Sequence, residues 1–410
     1  MATVAGERLA VSMPTNSTRL PALLAHTQGL GLERWLGRAR RGVATRSLAL
    51  LWLVLAWRGS GRPSHLRLLA EPLLPALLGL RRLPCARTLA RSVRAFSAHD
   101  LRRAVEAAYQ AGLPGRHGRV WVALDAHQLP YWGRGQTARF LKGWSGGRSR
   151  RLRGYRLYLA VDTGTGQVIT YVLGRGRQRE AALAAALARR VRRVLGRRLA
   201  GVVADCGFTS HASVAALTAT RIPFILGFAR SRPIRGRLAA LRPQQWRWLR
   251  HGGAIRLGPC PWDARLRLFA LGARTGSDRR GPWVYCTNLR AVGPRRLARL
   301  YRQRWRVEQA IDELLHGHDL DHLVSYRLHP NRVAVGFRLL ARTLALGYQL
   351  RQQQGSPAPL AEPLAFRARC VDGLGTFTLD HPVIQLSGWD GPPLSSCHLP
   401  WSGITVLVAA

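Results

Sequence analysis

The sequence predicts a mixed α/β protein, and three observations support this fold class. Strand patterns and amphipathic helices alternate through the middle of the chain, in the order three strands, helix, strand, helix, strand. A helical pattern precedes this region, and a β-rich stretch interrupts it before a final strand and two long helices. Two of the predicted strands end in an acid, Asp125 and Asp205, at the edge where such sheets bind ligands. We therefore expect a mixed sheet flanked by helices, with a helical N-terminal domain and a β-rich insertion.

The N-terminal region carries the helical pattern. Residues 1–18 read as a loose polar start, and residues 20–110 read as helices broken by prolines. Within them, residues 77–91 resemble a helix-turn-helix, whose second helix presents Arg87 and Arg91 as candidate DNA contacts. A plain helical bundle with solvated arginines fits this pattern equally well.

The remaining elements follow from hydrophobic periodicity and turn signals. The predicted strands span 120–125, 155–161, 167–173, 199–205, 223–228 and 283–289. The predicted helices span 180–195, 210–220, 292–317 and 331–353. The turn at 162–166 indicates a hairpin. The β-rich insertion covers about 229–282, a linker lies at 355–359, and the remainder has no clear pattern.

The charge balance identifies the partner class. The chain has 410 residues, enough for two or three domains with hydrophobic cores. It carries 64 basic and 20 acidic residues, which gives a net charge of +44. So much positive charge repels itself unless a polyanion neutralises it. Nucleic acid is therefore the expected partner, with strongly salt-dependent binding.

Several classes of protein are excluded by composition. Hydrophobic residues make up 47% of the chain, so it is a folded protein rather than a basic tail. Six scattered cysteines without a CxxC pair argue against a zinc ribbon or a secreted disulfide framework, and favour a reducing cytoplasm. The apolar run 48–57 is too short to span a bilayer and reads as a buried helix, so we expect no membrane partner.

Acidic residues are scarce, so each one is informative. Glu308 lies among cations, and helical spacing places it on one face with Tyr301 and Arg304. Together with Asp125 and Asp205 it gives three carboxylates on apolar elements. Such a set can hold two divalent metal ions, which activate an attacking oxygen and stabilise a leaving one. This is phosphodiester chemistry, and the positive charge suits its substrate.

These motifs resemble the DDE transposases of the insertion sequence 4 group, over roughly residues 116–350. The segments that carry the resemblance are Leu124-Asp125, the span from Lys142 to Asp162, Ala204-Asp205-Cys206-Gly207-Phe208, Thr287-Asn288-Leu289, and the Tyr301, Arg304 and Glu308 spacing. The resemblance implies a metal-dependent polynucleotidyl transferase and endonuclease with an RNase H-like catalytic domain. It also implies a cut-and-paste reaction on DNA.

The resemblance further implies roles for single residues. Asp125, Asp205 and Glu308 are expected to hold two Mg²⁺ or Mn²⁺ ions. Arg304 is expected to grip a phosphate, and Tyr301 to support it by a hydrogen bond or by stacking. If excision follows a hairpin route, an expelled base needs an aromatic partner. The candidates are Trp246, Trp248 and Trp283.

The domain plan and partners follow from the same reading. We expect a DNA-end-binding domain at 1–115, a catalytic domain at 116–352, and a tail at 353–410 that aids dimerisation. The partners are then the terminal inverted repeats, the target DNA and a second copy of the chain. A bacterial, nucleoid-associated cytoplasmic protein is expected. Further DNA backbone contacts are assigned to Lys142, Arg148 and Arg151.

Other polar residues read as structural. Asp162 is assigned to its turn, Glu180 to a helix start whose dipole suits its charge, and His127 to ordinary packing. Asp312 is expected to pair with an arginine.

Two departures from the family pattern keep alternatives open. Leu315 stands where the family has a lysine, and Cys206 stands where it often has an arginine. A catalytically inactive or domesticated DNA-binding relative is one alternative, and a host nuclease of the RNase H superfamily is another.

Overall fold

The computed structural model describes most of the chain. The described residues are 12–36, 44–69, 71–112, 118–131, 139–145, 148–175, 180–249, 252–272, 282–353, 360–380, 382–387 and 396–408. The chain divides into two compact units. Unit 1 comprises 1–114, 133–137 and 312–410, and unit 2 comprises 115–132 and 138–311.

The elements are numbered in chain order. The α-helices are α1 (Leu20–Gly29), α2 (Glu33–Leu36), α3 (Ala44–Trp57), α4 (Leu73–Leu77), α5 (Ala86–Ser92), α6 (Ala98–Ala111), α7 (Glu180–Leu195), α8 (His211–Ala219), α9 (Arg232–Ala239), α10 (Pro294–Arg302), α11 (Trp305–His318), α12 (Leu328–Gln352) and α13 (Pro363–Cys370). The strands are β1 (Ser12–Thr15), β2 (Val120–Pro130), β3 (Arg139–Ser145), β4 (Arg148–Asp162), β5 (Val168–Arg175), β6 (Leu199–Ala204), β7 (Phe224–Phe228), β8 (Arg247–Leu249), β9 (Gly252–Cys260), β10 (Asp263–Gly272), β11 (Trp283–Thr287), β12 (Gly375–Asp380), β13 (Val383–Ser387), β14 (Ser396–Leu399) and β15 (Ile404–Val408).

Unit 2 is built on one mixed sheet. Its strand order is β3-β4-β2-β6-β7-β11-β10-β9-β8, and β5 also pairs with β4. β2, β6 and β7 run parallel, whereas β4 and β5 are antiparallel to their neighbours. The predicted mixed α/β fold class is confirmed, because helices pack on this sheet in an RNase H-like arrangement.

The sequence explains why the central strands are buried. β6 and β7 are apolar runs whose side chains are almost all buried, as expected for parallel strands covered on both faces. The amphipathic α7 packs its buried alanines and leucines on this sheet and directs Arg189, Arg192 and Arg193 outward. The crossover from β5 through α7 to β6 thus places Ala204 beside Leu124 of β2.

The predicted insertion contains more than strands. β8, β9 and β10 form a meander that continues the sheet through β11. They are preceded by α9, a helix that the sequence analysis did not predict and whose arginines are largely exposed. A bulge interrupts the β9–β10 ladder between Asp263 and Arg267.

Unit 1 contains the predicted helices of the N-terminal region and α12. α12 is buried around its whole circumference, as its apolar sequence predicted. Trp57 of α3 donates its indole N–H to the carbonyl oxygen of Ala341 at 2.9 Å. Arg342 of α12, buried at 3% exposure, donates to Glu313 at 2.6 Å. A buried cation needs such a partner, because desolvation is costly.

A second sheet lies in unit 1, with strand order β1-β12-β13-β15-β14. Two expectations change as a result. Residues 1–18 were predicted to be a loose start, but β1 pairs antiparallel with β12. Residues 353–410 were predicted to be a tail without clear pattern, but they supply α13 and four strands within the described ranges.

Three predictions about elements in the catalytic region were wrong or incomplete. The helix predicted over 292–317 is divided into α10 and α11 by a turn at Gln303 and Arg304. β2 continues to Pro130 because β4 still pairs with it there. Asp125 therefore lies within its strand and not at its end. β3, which pairs with the first half of β4, was not predicted.

The helix-turn-helix prediction also shifts. α4 ends at Leu77, where the predicted first helix began, and α5 forms the second helix. Arg87 and Arg91 are exposed on α5, while Leu89 is buried. Among the described residues, no helix combines the length and apolar character needed to cross a bilayer.

Candidate active site

Asp125 and Asp205 lie side by side on the sheet of unit 2. The parallel ladder between β2 and β6 ends with Leu124 opposite Ala204, and each aspartate comes next in its own chain. β6 ends there, so Asp205 begins a short 3-10 turn, whereas β2 runs on beside β4. The two carboxylates therefore share one edge of the parallel core, where such sheets bind ligands.

The environment of Asp125 disfavours its charged form. Its side chain is 17% exposed, and burial raises the pKa of the carboxyl group from 3.8 to about 6, with repulsion from Asp205 as the next cause. The amide of Ala126 donates to Oδ1 at 2.7 Å and opposes this shift. Arg304 also opposes it, with Nη1 3.5 Å from Oδ2. Asp125 therefore retains a proton more readily than an ordinary aspartate.

Asp205 is held by its own turn. Its Oδ1 accepts the backbone N–H of Gly207 at 2.9 Å, the usual bond of a capping aspartate. The exposed Cys206 and Gly207 follow it on the surface. The carboxylate thus has a fixed orientation and an open side.

Tyr301 at the end of α10, Arg304 in the turn that follows and Glu308 in α11 lie close together in the chain. The guanidinium of Arg304 forms ion pairs with both Asp125 and Glu308. Glu308 has 55% of its side chain exposed, whereas Arg304 has only 18%. Nε of Arg304 is buried without a hydrogen-bond partner. Arg304 therefore connects the carboxylate on the helix to the carboxylate on the sheet.

Tyr301 is packed against the sheet rather than open to solvent. Its ring meets that of Tyr285 edge-on at 4.4 Å between centroids, and the guanidinium carbon of Arg304 lies 5.8 Å from its ring centre. Burial raises the pKa of its hydroxyl to about 12. A Cβ built on Gly227 would lie 2.8 Å from this hydroxyl oxygen. Tyr301 thus fills a space that exists because β7 carries a glycine at this point.

The three carboxylates are near one another but do not form a single tight cluster. The negative charges of Asp205 and Glu308 both raise the pKa of Asp125. In the described part of the chain, however, the three do not bring ligand atoms within 4.8 Å of one another. A set that meets this distance is Asp319, Asp321 and His322 in unit 1, where His322 bonds to both aspartates.

The structure describes only some of the side chains that were predicted to contact the DNA backbone or an expelled base. The backbones of Lys142, Arg148 and Arg151 lie in β3 and β4, but their side chains fall outside what the structure describes. The same is true of the side chain of Trp248. Trp283 is 55% exposed at the start of β11.

The residues assigned structural roles are partly as predicted. Asp162 accepts the backbone N–H groups of Gly164 and Thr165, so its assignment to the turn is confirmed. Asp312 was predicted to pair with an arginine, but its Oδ1 instead lies 3.2 Å from Nδ1 of His316, one helical turn later. The side chain of Glu180 lies outside the described part.

Trp305 and Trp262, which lie in unit 2, were not predicted to be functional. Trp305 follows Arg304, is 49% exposed, and has the guanidinium of Arg306 4.4 Å from its ring centre. Trp262 packs on Phe228 at 4.7 Å and lines a cavity of about 700 Å³ with His211. An aromatic beside the motif arginine could have signalled Trp305. Nothing in the sequence distinguishes Trp262 from the other tryptophans.

Known proteins resemble this chain in fold and in sequence family. The chain resembles the cryo-EM structure of a piggyBac transposase synaptic complex with hairpin DNA, with a TM-score of 0.50 and 13% sequence identity. The likeness covers 88% of this chain and 81% of the other, and at this identity it concerns the fold. A search of curated proteins finds no match. The family described as transposase DDE domain matches residues 116–344, which include Asp125, Asp205 and Glu308. The chain therefore belongs to the transposase DDE domain family.

Proposed function

We propose that this DNA transposase belongs to the insertion sequence 4 group. We propose that it cuts the ends of its own element and joins them to target DNA by a cut-and-paste route. One observation carries the proposal: Asp125 and Asp205 share an edge of the parallel core, and Arg304 ties Glu308 to Asp125. These carboxylates fall within the matched family region.

The metal ligands in this proposal are Asp125, Asp205 and Glu308, with Mg²⁺ or Mn²⁺ as the ions. DDE transposase domains are metal-dependent, and carboxylate oxygens are the ligands that these hard cations prefer. The donor set fits, because Asp125 and Asp205 repel each other and a dication relieves such repulsion. A two-metal site divides its ligands between the ions, so all three carboxylates need not meet within 4.8 Å. When bound, the metals activate an attacking oxygen and stabilise a leaving one.

The protein groups position the DNA in this reaction. Arg304 has a buried Nε without a partner and a guanidinium at the site, so it is suited to hold a phosphate by charge-assisted hydrogen bonds. Tyr301 supports Arg304 through its ring, whose centre lies 5.8 Å from the guanidinium carbon. Lys142, Arg148 and Arg151 add backbone contacts in this proposal.

Recognition of the DNA ends is assigned to the N-terminal helices. Arg87 and Arg91 are exposed on α5 and free of acidic neighbours in α5 itself, which suits phosphate contact. The solved neighbour is a synaptic complex with hairpin DNA, which supports a hairpin route and paired ends. We accordingly propose a homodimer at synapsis, aided by residues 353–410, in the bacterial nucleoid. An aromatic residue, Trp246, Trp248 or Trp283, would receive the expelled base.

The proposal is tested with purified full-length protein and linear DNA that carries the repeats flanking its gene. We expect Mg²⁺- or Mn²⁺-dependent cleavage at the ends, followed by joining to a target plasmid. Asp125→Asn, Asp205→Asn and Glu308→Gln should each lower cleavage by more than a hundredfold while gel-shift binding persists. Asp312→Asn, one helical turn after Glu308, is the matched control and should cleave normally.

The same assay separates the rival functions. Cleavage without strand transfer and without dependence on the repeats would indicate a nuclease. Binding to the ends without nicking in Mn²⁺ would indicate an inactive or domesticated relative, for which Leu315 is the motivating residue. Normal cleavage by the Asp205→Asn variant would contradict the assignment of the ligands.

A further inference from the structure

The sheet of unit 2 has a second edge, which carries a row of arginines. β2, β6 and β7 run parallel, so their first residues share one edge, and Asp205, which follows β6, lies at the other. β11 runs antiparallel to β7 and therefore ends at the edge where β7 begins. The segments that meet at this edge contribute five residues that we call the arginine edge: Arg119, Arg197, Arg198, Arg221 and Arg290.

Strand registers place the beginnings of the parallel strands at one level. Val120 of β2 pairs with Leu199 of β6, so the arginines just before these two strands lie on neighbouring segments. Val202 of β6 pairs with Phe224 of β7, and continuing this register backwards brings Arg221 to about the level of Leu199. The backbone positions of these arginines therefore form a row across β2, β6 and β7.

Asn288 adds the loop after β11 to this row. Its Oδ1 accepts the backbone N–H of Phe224 at 2.8 Å, and its Nδ2 donates to the carbonyl oxygen of Ile222 at 2.9 Å. Arg290 follows Asn288 in the same loop, and Ile222 is the chain neighbour of Arg221. Asn288, to which the proposed chemistry gives no role, thus holds the two segments together.

The arginine edge has no acid to neutralise it within the described part of the chain. Four of the five arginines are exposed, and none of the five forms an ion pair with a described carboxylate. Nε of the half-buried Arg198 lacks a hydrogen-bond partner. Asp162, in the adjacent turn, is 4% exposed and accepts backbone N–H groups of that turn. The positive charges therefore repel one another until a polyanion neutralises them.

The arginine edge is too far from the candidate active site to hold the phosphate that is cut there. β6 fills the interval between Arg198 and Asp205, which is roughly 20 Å of extended chain. In the other direction, β2, β6, β7 and β11 are successive strands, so the row is about 14 Å long. This length matches about four base-pair steps of a duplex.

We propose that the arginine edge binds the phosphate backbone of a second stretch of duplex DNA, separate from the one cut at Asp205. Guanidinium groups hold phosphates by charge-assisted, often bidentate hydrogen bonds, and such contacts carry no sequence preference. The duplex is either target DNA or the element's own DNA beyond the cleavage point. The inference rests on the proposed function only for the source of this duplex, because binding itself needs no cleavage.

The experiment measures binding of the full-length protein, without metal, to a short fluorescent duplex that lacks the terminal repeats. The triple variant Arg197→Gln, Arg221→Gln and Arg290→Gln should lower the slope of log K against log salt by about 2–3, because each lost phosphate contact removes about 0.9. The matched control replaces exposed arginines on and just after α9, as Arg232→Gln, Arg235→Gln and Arg242→Gln. It removes the same charge and should keep the wild-type slope.

Two results would overturn the proposal. One is a wild-type slope in the first triple variant, and the other is an equal loss in both triple variants, which would mean that binding follows net charge alone. Lysine at the same three positions keeps the charge and should retain most of the slope, which separates lost contacts from misfolding.

The strand-transfer reaction identifies the source of the duplex. If the triple variant cleaves the ends but joins them poorly to a plasmid, the arginine edge holds target DNA. If its affinity falls only for end duplexes that extend past the repeats, the edge holds the element's own DNA. Wild-type protein that never cleaves would contradict the proposed function, while the metal-free comparison would still decide whether the arginine edge binds DNA.

Discussion

Replacing Gly227 by alanine tests whether the Tyr301 contact holds the site together. The added Cβ would lie 2.8 Å from the Tyr301 hydroxyl oxygen, 3.0 Å from the backbone nitrogen of Cys206 and 3.3 Å from the carbonyl carbon of Asp205. The first two distances are shorter than ordinary van der Waals contacts. Tyr301 cannot simply move aside, because the ring of Tyr285 and the guanidinium of Arg304 pack against it, and the second contact is with backbone. Either the tyrosine or the turn after Asp205 must shift.

The magnitude follows from this geometry. Inserting one carbon into a packed site costs about 1–3 kcal/mol, so the melting temperature should fall. A displacement of about 1 Å in a catalytic group can lower the rate roughly a hundredfold, and Asp205 is directly attached to the affected turn. Thermal melting and the end-cleavage assay measure the two effects. We expect both to decrease.

Two further variants make the test specific. Gly236→Ala in α9 is the matched control: its Cβ would meet nothing within 4 Å, and alanine should stabilise the helix by about 0.5–1 kcal/mol. Adding Tyr301→Phe to Gly227→Ala removes the shortest contact. The double variant should therefore lose about 0.5–3 kcal/mol less stability than the sum of the two single variants. Wild-type melting and cleavage by Gly227→Ala, or purely additive effects in the double variant, would refute the reasoning.

Three other predictions concern charge. Asp125→Asn, measured without metal, should raise the free energy of unfolding by roughly 3 kcal/mol above pH 6 and leave it unchanged below pH 4. The reason is that the pKa of this carboxyl group is about 6 in the folded protein, so its ionisation at higher pH destabilises the fold. A difference in thermal melting that does not change with pH would contradict this. Arg342→Ala should destabilise the protein by about 3–5 kcal/mol in denaturant melts, since Glu313 loses its buried partner, whereas Arg342→Met with Glu313→Leu should cost less. Replacing Arg87 and Arg91 by alanine should weaken DNA-end binding and lower the slope of log K against log salt by up to about 2; an unchanged slope would place end binding elsewhere.

The sequence predicted elements well where one local pattern determined them. The helix at 180–195 has the predicted limits, because an amphipathic stripe suffices to define it. The strand predicted over 199–205 begins at Leu199 as predicted and ends one residue early, at Ala204, where its apolar run stops. β1 was missed because four residues carry too little pattern, and its partner β12 lies near the other end of the chain. In the small sheet of unit 1 only the edge strand β1 depends on that distant pairing, because β12, β13, β14 and β15 pair with one another.

The candidate site was accessible from sequence because acids are rare in this chain. Asp125, Asp205 and Glu308 stood out by type and position, whereas Gly227 and Tyr285 did not. The role of Gly227 is the space left by a missing Cβ, which becomes visible only when Tyr301 is brought over it. The break at Gln303 was also hidden, since Tyr301, Arg304 and Glu308 keep helical spacing across it. The turn nevertheless leaves Arg304 in reach of both Asp125 and Glu308.

Asp125 shows how little the net charge controls the chemistry of the site. A protein with a charge of +44 would be expected to hold every carboxyl pKa low, yet that of Asp125 is raised. Exposed charges are screened beyond about 8 Å in physiological salt, so distant arginines contribute little. Burial and the neighbouring Asp205 act at short range and outweigh the nearby Arg304. Raising the salt concentration should therefore weaken DNA binding steeply while it leaves the pKa of Asp125 nearly unchanged, because the two depend on different charges.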